Sequence, residues 1–223
     1  MNVPAADFEA ILPAAGQGLR LGLGPKAFIV LAGRTLLEHA VATMLAVAAR
    51  VTVAVPPADL ARAQHLVGSD AVSVIAGGKR RIDTLRTLVG AATAPWLLIH
   101  DPVHPLVTIE LSRRVIEEAR RSGAAGAALF NVDFLHGMDG TLRAVPGDVV
   151  AIQKPIAMQR ADLARGFEIA ERAAAGGSLP DAGTLEILLL AGRRVTYVPG
   201  SSLNFKLTTA DDFALARRLM EPG

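Results

Sequence analysis

The chain contains no cysteine, which excludes both disulfides and thiolate chemistry. No apolar run approaches the ~18–20 residues needed to span a bilayer, so no membrane segment is expected. Neither sign of charge dominates: the formal net charge is +2 and no long basic run is present. The balance therefore gives no general reason to expect nucleic-acid or membrane binding. The first ten residues include Asp7 and Glu9 rather than the basic start of a secretory signal, and the apolar stretch after them is too short for one. A soluble cytoplasmic protein is the expectation. Aromatics are scarce at 4%, whereas 51% of the residues are hydrophobic, with abundant Ala, Leu and Val. That composition suits tightly packed helices on a parallel sheet. At 223 residues the chain makes one large domain, or a domain with an appendage, and buries a substantial core.

Apolar runs of strand length alternate with helical patterns along the chain. Strands are predicted at 8–12, 51–55, 71–75, 96–100, 124–131, 149–154 and 194–199. Helices are predicted at 35–47 with Thr35 as cap, then at 58–66, 81–91, 106–122, 161–175, 181–191 and from about 210 onward. Repeated alternation of this kind predicts an α/β fold with a doubly wound, mostly parallel sheet and helices on both faces. Between Val132 and Gly147 the pattern breaks: glycines, aspartates and a histidine replace core-forming positions over sixteen residues. That is longer than a simple connection requires, and it reads as a projecting β-arm or a mobile lid.

The stretch around which the rest is organised runs from Leu12 to Lys26. A turn containing Gly16, Gly18, Gly22 and Gly24 follows the first strand and carries Arg20 and Lys26. Glycines let backbone N–H groups approach a ligand, and two cations in the same turn imply a polyanion, most simply a chain of phosphates. A Walker loop is excluded, because Gly24 is followed by Pro25, Lys26 and Ala27 with no hydroxyl for a metal. The dinucleotide fingerprint is excluded too, because the spacing of Gly16, Gly18 and Gly22 is one residue too long. The other candidates for chemistry, Gly77-Gly78, Asp101 and Lys206, are also read as falling just after strands. In an open α/β sheet that is where ligands bind.

The wording AAGQGLRLGLGPKAF resembles the signature loop of nucleotidyltransferases of the sugar-nucleotide class. Within that class it is most similar to the 2-C-methyl-D-erythritol 4-phosphate cytidylyltransferases of isoprenoid synthesis. The segment GGKRRIDTL resembles that family's GG-x-x-R-x-x-S-V, HDPVHP its H-D-A-A-R-P, and NFKLT the motif carrying its second catalytic lysine. The resemblance covers nearly the whole chain. It implies a Rossmann-like nucleotidyltransferase in which Arg20, Lys26 and Lys206 are catalytic, clamping the triphosphate of CTP. Ala14, Ala15, Gly16, Gly18, Gly78 and Thr84 would bind the nucleotide, and Asp101 would hold Mg2+ or a ribose hydroxyl. Asp101 also has a plainer reading, as a cap for the turn after its strand. Arg81 is read as structural, tying loops together. The family uses its arm to interlock two subunits, so the resemblance implies a homodimer through 132–147, each arm completing the other's substrate site.

The implied reaction needs no side-chain nucleophile. A phosphate monoester oxygen is already mostly ionised at neutral pH, because its second pKa is about 6. What the protein must do is hold two anions in line and neutralise charge at the pentavalent centre. Arginine, lysine and a magnesium ion meet that demand.

The acceptor side departs from the family pattern. His104 stands for the arginine of H-D-A-A-R-P, Val132-Asp133-Phe134 for a D-T motif, and Lys154 for the threonine of T-P-Q. Pro180-Asp181 replaces T-D, and the arm arginine falls near Pro146, with Arg143 the nearest cation. Lys154 and Arg143 are therefore the acceptor-binding candidates. Three outcomes stay open: the usual sugar-phosphate acceptor, a different small phosphate or phosphonate, or a silent nucleotide-binding homologue.

Overall fold

The structure, a computed structural model, describes residues 5–16, 25–174 and 182–221. The first apolar run forms β1 (Ala5–Pro13). A short 3-10 turn at Lys26–Phe28 leads into a hairpin of β2 (Val30–Leu31) and β3 (Arg34–Thr35). Thr35 then caps α1 (Leu36–Leu45) through a reciprocal box with Glu38, as its position before the periodic run predicts. The β-branched VTVAV run lies in β4 (Ala48–Val55), followed by α2 (Leu60–Val67) and β5 (Val72–Ala76). Next come α3 (Arg81–Ala91), β6 (Trp96–Ile99), α4 (Ile109–Ser122) and β7 (Ala124–Phe130). A small hairpin of β8 (Leu135–His136) and β9 (Leu142–Ala144) fills the predicted arm. The chain returns through β10 (Val150–Gln159), α5 (Arg160–Ala173), α6 (Thr184–Leu190), β11 (Thr196–Pro199) and α7 (Ala210–Met220).

Seven strands form one sheet in the order β11-β7-β10-β6-β1-β4-β5. Only β10 runs against its neighbours; the remaining pairs are parallel. Side chains alternate across the sheet as the strand period requires. On β1, Phe8, Ala10 and Leu12 face a core shared with α1, α2 and α4, while Ile11 faces a second core shared with α3, α5 and α6. Both faces are thus covered by helices, which is the doubly wound arrangement. Among the described residues no helix is long and apolar enough to cross a membrane.

Three elements differ from the sequence expectation. The strand expected to stop at Pro155 continues to Gln159. Proline lacks an N–H for the ladder, but here the pairing with β7 shifts register between Ile152 and Ile156, and Pro155 sits inside that irregularity. The helix expected from Leu106 begins at Ile109, because the Thr108 hydroxyl accepts from the Leu111 N–H and fixes the start. The hairpin β2–β3 was not expected at all; its two-residue turn puts Ala32 and Gly33 at positive φ, which glycine takes at no steric cost. The ends of the helices expected at 161–175 and 181–191 fall partly outside the described residues.

Candidate active site

Four parallel strands, β5, β4, β1 and β6, end side by side, and the loops leaving their carboxyl ends wall one cavity of about 850 Å³. Ala14 to Gly16 leave β1, Pro56 and Pro57 leave β4, Gly77 and Gly78 leave β5, and Asp101 leaves β6. This is the crevice where open α/β sheets bind ligands. Among the described residues five cations line it (Lys26, Lys79, Arg80, Arg81 and Lys206) against the single carboxylate of Asp101, which suits a polyanion.

The backbone at Gly77 and Gly78 must come close to its neighbours. A Cβ on Gly77 would lie 2.6 Å from that of Ala15, and one on Gly78 would lie 2.5 Å from that of Asp83. Thr84 lines the same cavity but spends its hydroxyl on this turn, accepting from the Gly78 N–H at 3.0 Å and donating to the Arg80 carbonyl at 3.1 Å. Lys26 donates to the Leu207 carbonyl at 3.0 Å, and so ties the start of the chain to the loop that carries Lys206.

A second cavity of about 400 Å³ adjoins the first. Its wall includes Lys154, His104, Gln153 and Asn204, and it shares Arg81, Asp101 and Lys206 with the larger one. Arg81 pairs with Asp101 at 3.4 Å. The other oxygen of Asp101 is buried with no hydrogen-bond partner among the described residues, and among them the carboxylate accepts from Arg81 rather than from the turn after its strand. Burial pushes the Asp101 carboxyl up, yet Lys154 and Arg81 outweigh it and hold the group below its ordinary value. The Lys154 ammonium is pulled the other way: burial lowers its pKa, and the attraction of Asp101 recovers only part of that.

The histidines add no fixed charge here. Burial pushes His100 down to about 3 and also lowers His104, leaving both rings neutral at neutral pH. The Nδ1 of His104 donates to the Asn204 carbonyl at 3.2 Å. Among the described residues there is no group of three His, Asp or Glu side chains placed to hold a metal by itself.

Ala14, Ala15, Gly16, Lys26, Gly78, Thr84, Asp101 and Lys206, all predicted from sequence, therefore share one cavity, and Lys154 lies in the next. Gly18, Arg20, Gly22, Gly24 and Pro180-Asp181 lie outside the described residues. Arg143 lines neither cavity of its own chain; it sits in β9 of the small hairpin, paired with Asp139 at 2.9 Å. Sequence reasoning gives Arg81 a loop-tying role; its side chain pairs the start of α3 with Asp101 and also stands on the seam between the cavities. It also passed over Gln153 and Asn204, although a lone glutamine inside the apolar run VVAIQKPIAM was a visible signal.

The model of the family described as 2-C-methyl-D-erythritol 4-phosphate cytidylyltransferase (IspD) matches residues 8–222. The enzyme of that name from Thermus thermophilus is 38% identical over 216 residues, covering 96% of this chain and 97% of the relative. The one from Deinococcus radiodurans is 37% identical over 213 residues, covering 94% of this chain and 88% of the relative. A crystal structure of the enzyme from Thermus thermophilus superposes with a TM-score of 0.78 at 32% identity, over 99% of both chains.

Proposed function

The chain belongs to the 2-C-methyl-D-erythritol 4-phosphate cytidylyltransferase family, and from that membership we propose how its two joined cavities perform the reaction. The protein is a nucleotidyltransferase that joins CTP to 2-C-methyl-D-erythritol 4-phosphate, a step in isoprenoid precursor synthesis. A phosphate oxygen of the acceptor attacks the α-phosphorus of CTP, the new P–O bond forms, and pyrophosphate leaves with the electrons of the broken bond. The attacking oxygen is already ionised, so the protein's task is alignment and charge neutralisation.

CTP takes the larger cavity, with the Gly16 turn and Gly78 close to the nucleotide and Arg20, Lys26 and Lys206 gathering its phosphates. The acceptor takes the smaller cavity, its phosphate drawn by Lys154. The observation that carries this reading is the seam: two cavities, one strongly cationic, meet at Arg81, Asp101 and Lys206. That is where two bound anions would have to meet in line.

Nucleotidyl transfer of this kind is metal-dependent, and Mg2+ fits the donor set. The unpartnered buried oxygen of Asp101 offers one hard ligand, and Mg2+ characteristically takes one or two carboxylates together with substrate phosphates and waters. Bound at Asp101, the ion would offset negative charge on the triphosphate.

The arm makes the protein a homodimer in this reading. Val132, Phe134 and Met138 stand in solvent in the single chain, and an isolated two-stranded hairpin is marginal without something to pack on. Crossing into a second copy would bring Arg143 toward the partner's acceptor cavity. Sedimentation should give a dimer, with Arg143→Ala raising the acceptor KM; a fully active monomer would remove the arm from the mechanism. Both substrates are polyanions that do not cross bilayers unaided, and we place the reaction in the cytoplasm.

The reading is tested by pyrophosphate release from each of the four nucleoside triphosphates. Release should require CTP, methylerythritol phosphate and Mg2+ together. Silence with that acceptor, alongside turnover of another small phosphate or phosphonate, would overturn it.

A further inference from the structure

Where β10 passes the active site, its ladder is interrupted between Ile152 and Ile156, leaving backbone groups there in need of partners. Asn204 supplies one: its amide donates to the Lys154 carbonyl at 2.6 Å. The exchange is reciprocal. The Gln153 amide donates to the carbonyls of Ser201 and Asn204 at 2.8 and 3.1 Å and accepts from the Ser201 N–H at 3.1 Å. Both side chains are buried, at 6% and 1% exposure. Neutral amides suit this position, because each offers donors and an acceptor without adding charge beside Lys154 and Lys206. The turn so held is the one that carries Lys206, two residues beyond Asn204, and its far end is fixed by the Leu207 N–H on the Val103 carbonyl at 2.8 Å.

We propose that Gln153 and Asn204 are positioning residues that lock the turn bearing Lys206 to the acceptor strand bearing Lys154. Their paired amides set the spacing between the cation of the nucleotide side and the cation of the acceptor side. This rests on the cytidylyltransferase reading above. Both amides spend their hydrogen bonds on backbone groups of this turn and strand, so each acts through the lysine beside it. Displacing a charge by about 1 Å in an in-line transfer can cost on the order of 100-fold in rate.

The experiment is a double-mutant cycle on pyrophosphate release, with Gln153→Met as the near-isosteric variant and Lys206→Ala as its partner. Gln153→Met should lower kcat by about 10- to 100-fold in the wild-type background. In the Lys206→Ala background the same change should lower the residual rate less than about twofold, since the group it positions is gone. Should Gln153→Met fail to fold, Asn204→Ala removes only the bond to the Lys154 carbonyl and enters the same cycle. An unchanged kcat, or equal losses in both backgrounds, would overturn the positioning role and leave the function standing. A wild-type protein that releases no pyrophosphate under any condition would overturn the function, and this inference with it.

Discussion

Alanine at position 206 is expected to slow pyrophosphate release by about 10²–10³-fold while leaving the fold intact. Lys206 lines both cavities, so its ammonium stands at the seam where the proposed function has two anions meet. Removing one preorganised charge from a transition state that accumulates negative charge costs about 10²–10³ in kcat. Stability should hardly respond. The side chain is exposed, and the turn is held by its neighbours: Gln153 and Asn204 on one side, the Leu207 N–H on the other. Exposed substitutions away from such bonds usually fall within about 0.5 kcal/mol. Lys26 would give a less clean result, because its ammonium also holds the Leu207 carbonyl and its loss would loosen the same turn. The measurement is kcat beside the thermal midpoint. A variant that unfolds earlier but turns over normally would assign Lys206 to stability and remove it from the chemistry.

Much of this site was legible in the sequence, for a physical reason. A parallel sheet places the ends of β1, β4, β5 and β6 together, so the residues that follow apolar runs converge even when they lie far apart along the chain. Gly16, Gly78 and Asp101 could be found by that rule alone. Arg81 could not. It opens α3, twenty positions before Asp101, and only the sheet order puts the start of that helix against the end of β6. The long β10 was hidden for a different reason. A proline in a strand normally marks its end, but an irregular stretch of ladder asks no N–H of that residue. The same irregularity creates the need that Gln153 and Asn204 fill, and a strand taken to end before Pro155 gives no sign of that need. The hairpin β2–β3 has two-residue strands, too short for any alternation to register.

The buried lysine is where binding and stability pull in opposite directions. Burial lowers the pKa of Lys154, so its charged form is less at home in the folded protein than in the unfolded chain. The unfolded chain therefore holds this proton to higher pH than the native state does. Stability should rise as the pH climbs from the depressed native pKa toward the ordinary lysine value of 10.5. Lys154→Met keeps the buried alkyl volume and removes the charge. It should raise the denaturation midpoint at neutral pH and flatten that alkaline rise, with Arg81 still paired to Asp101. The acceptor should suffer correspondingly. Losing a charge-assisted phosphate contact worth about 1.5–3 kcal/mol raises the acceptor KM by about 10- to 150-fold. The KM for CTP should stay within about threefold, because Lys154 does not line the larger cavity. The pH profile gives a further check. In the wild type the acceptor KM should climb on the alkaline side as Lys154 discharges early, and in the Met variant that climb should vanish. A Met variant that is more stable yet binds acceptor as before would show that the ammonium is only a cost of the fold, and the acceptor phosphate would then need another cation to hold it.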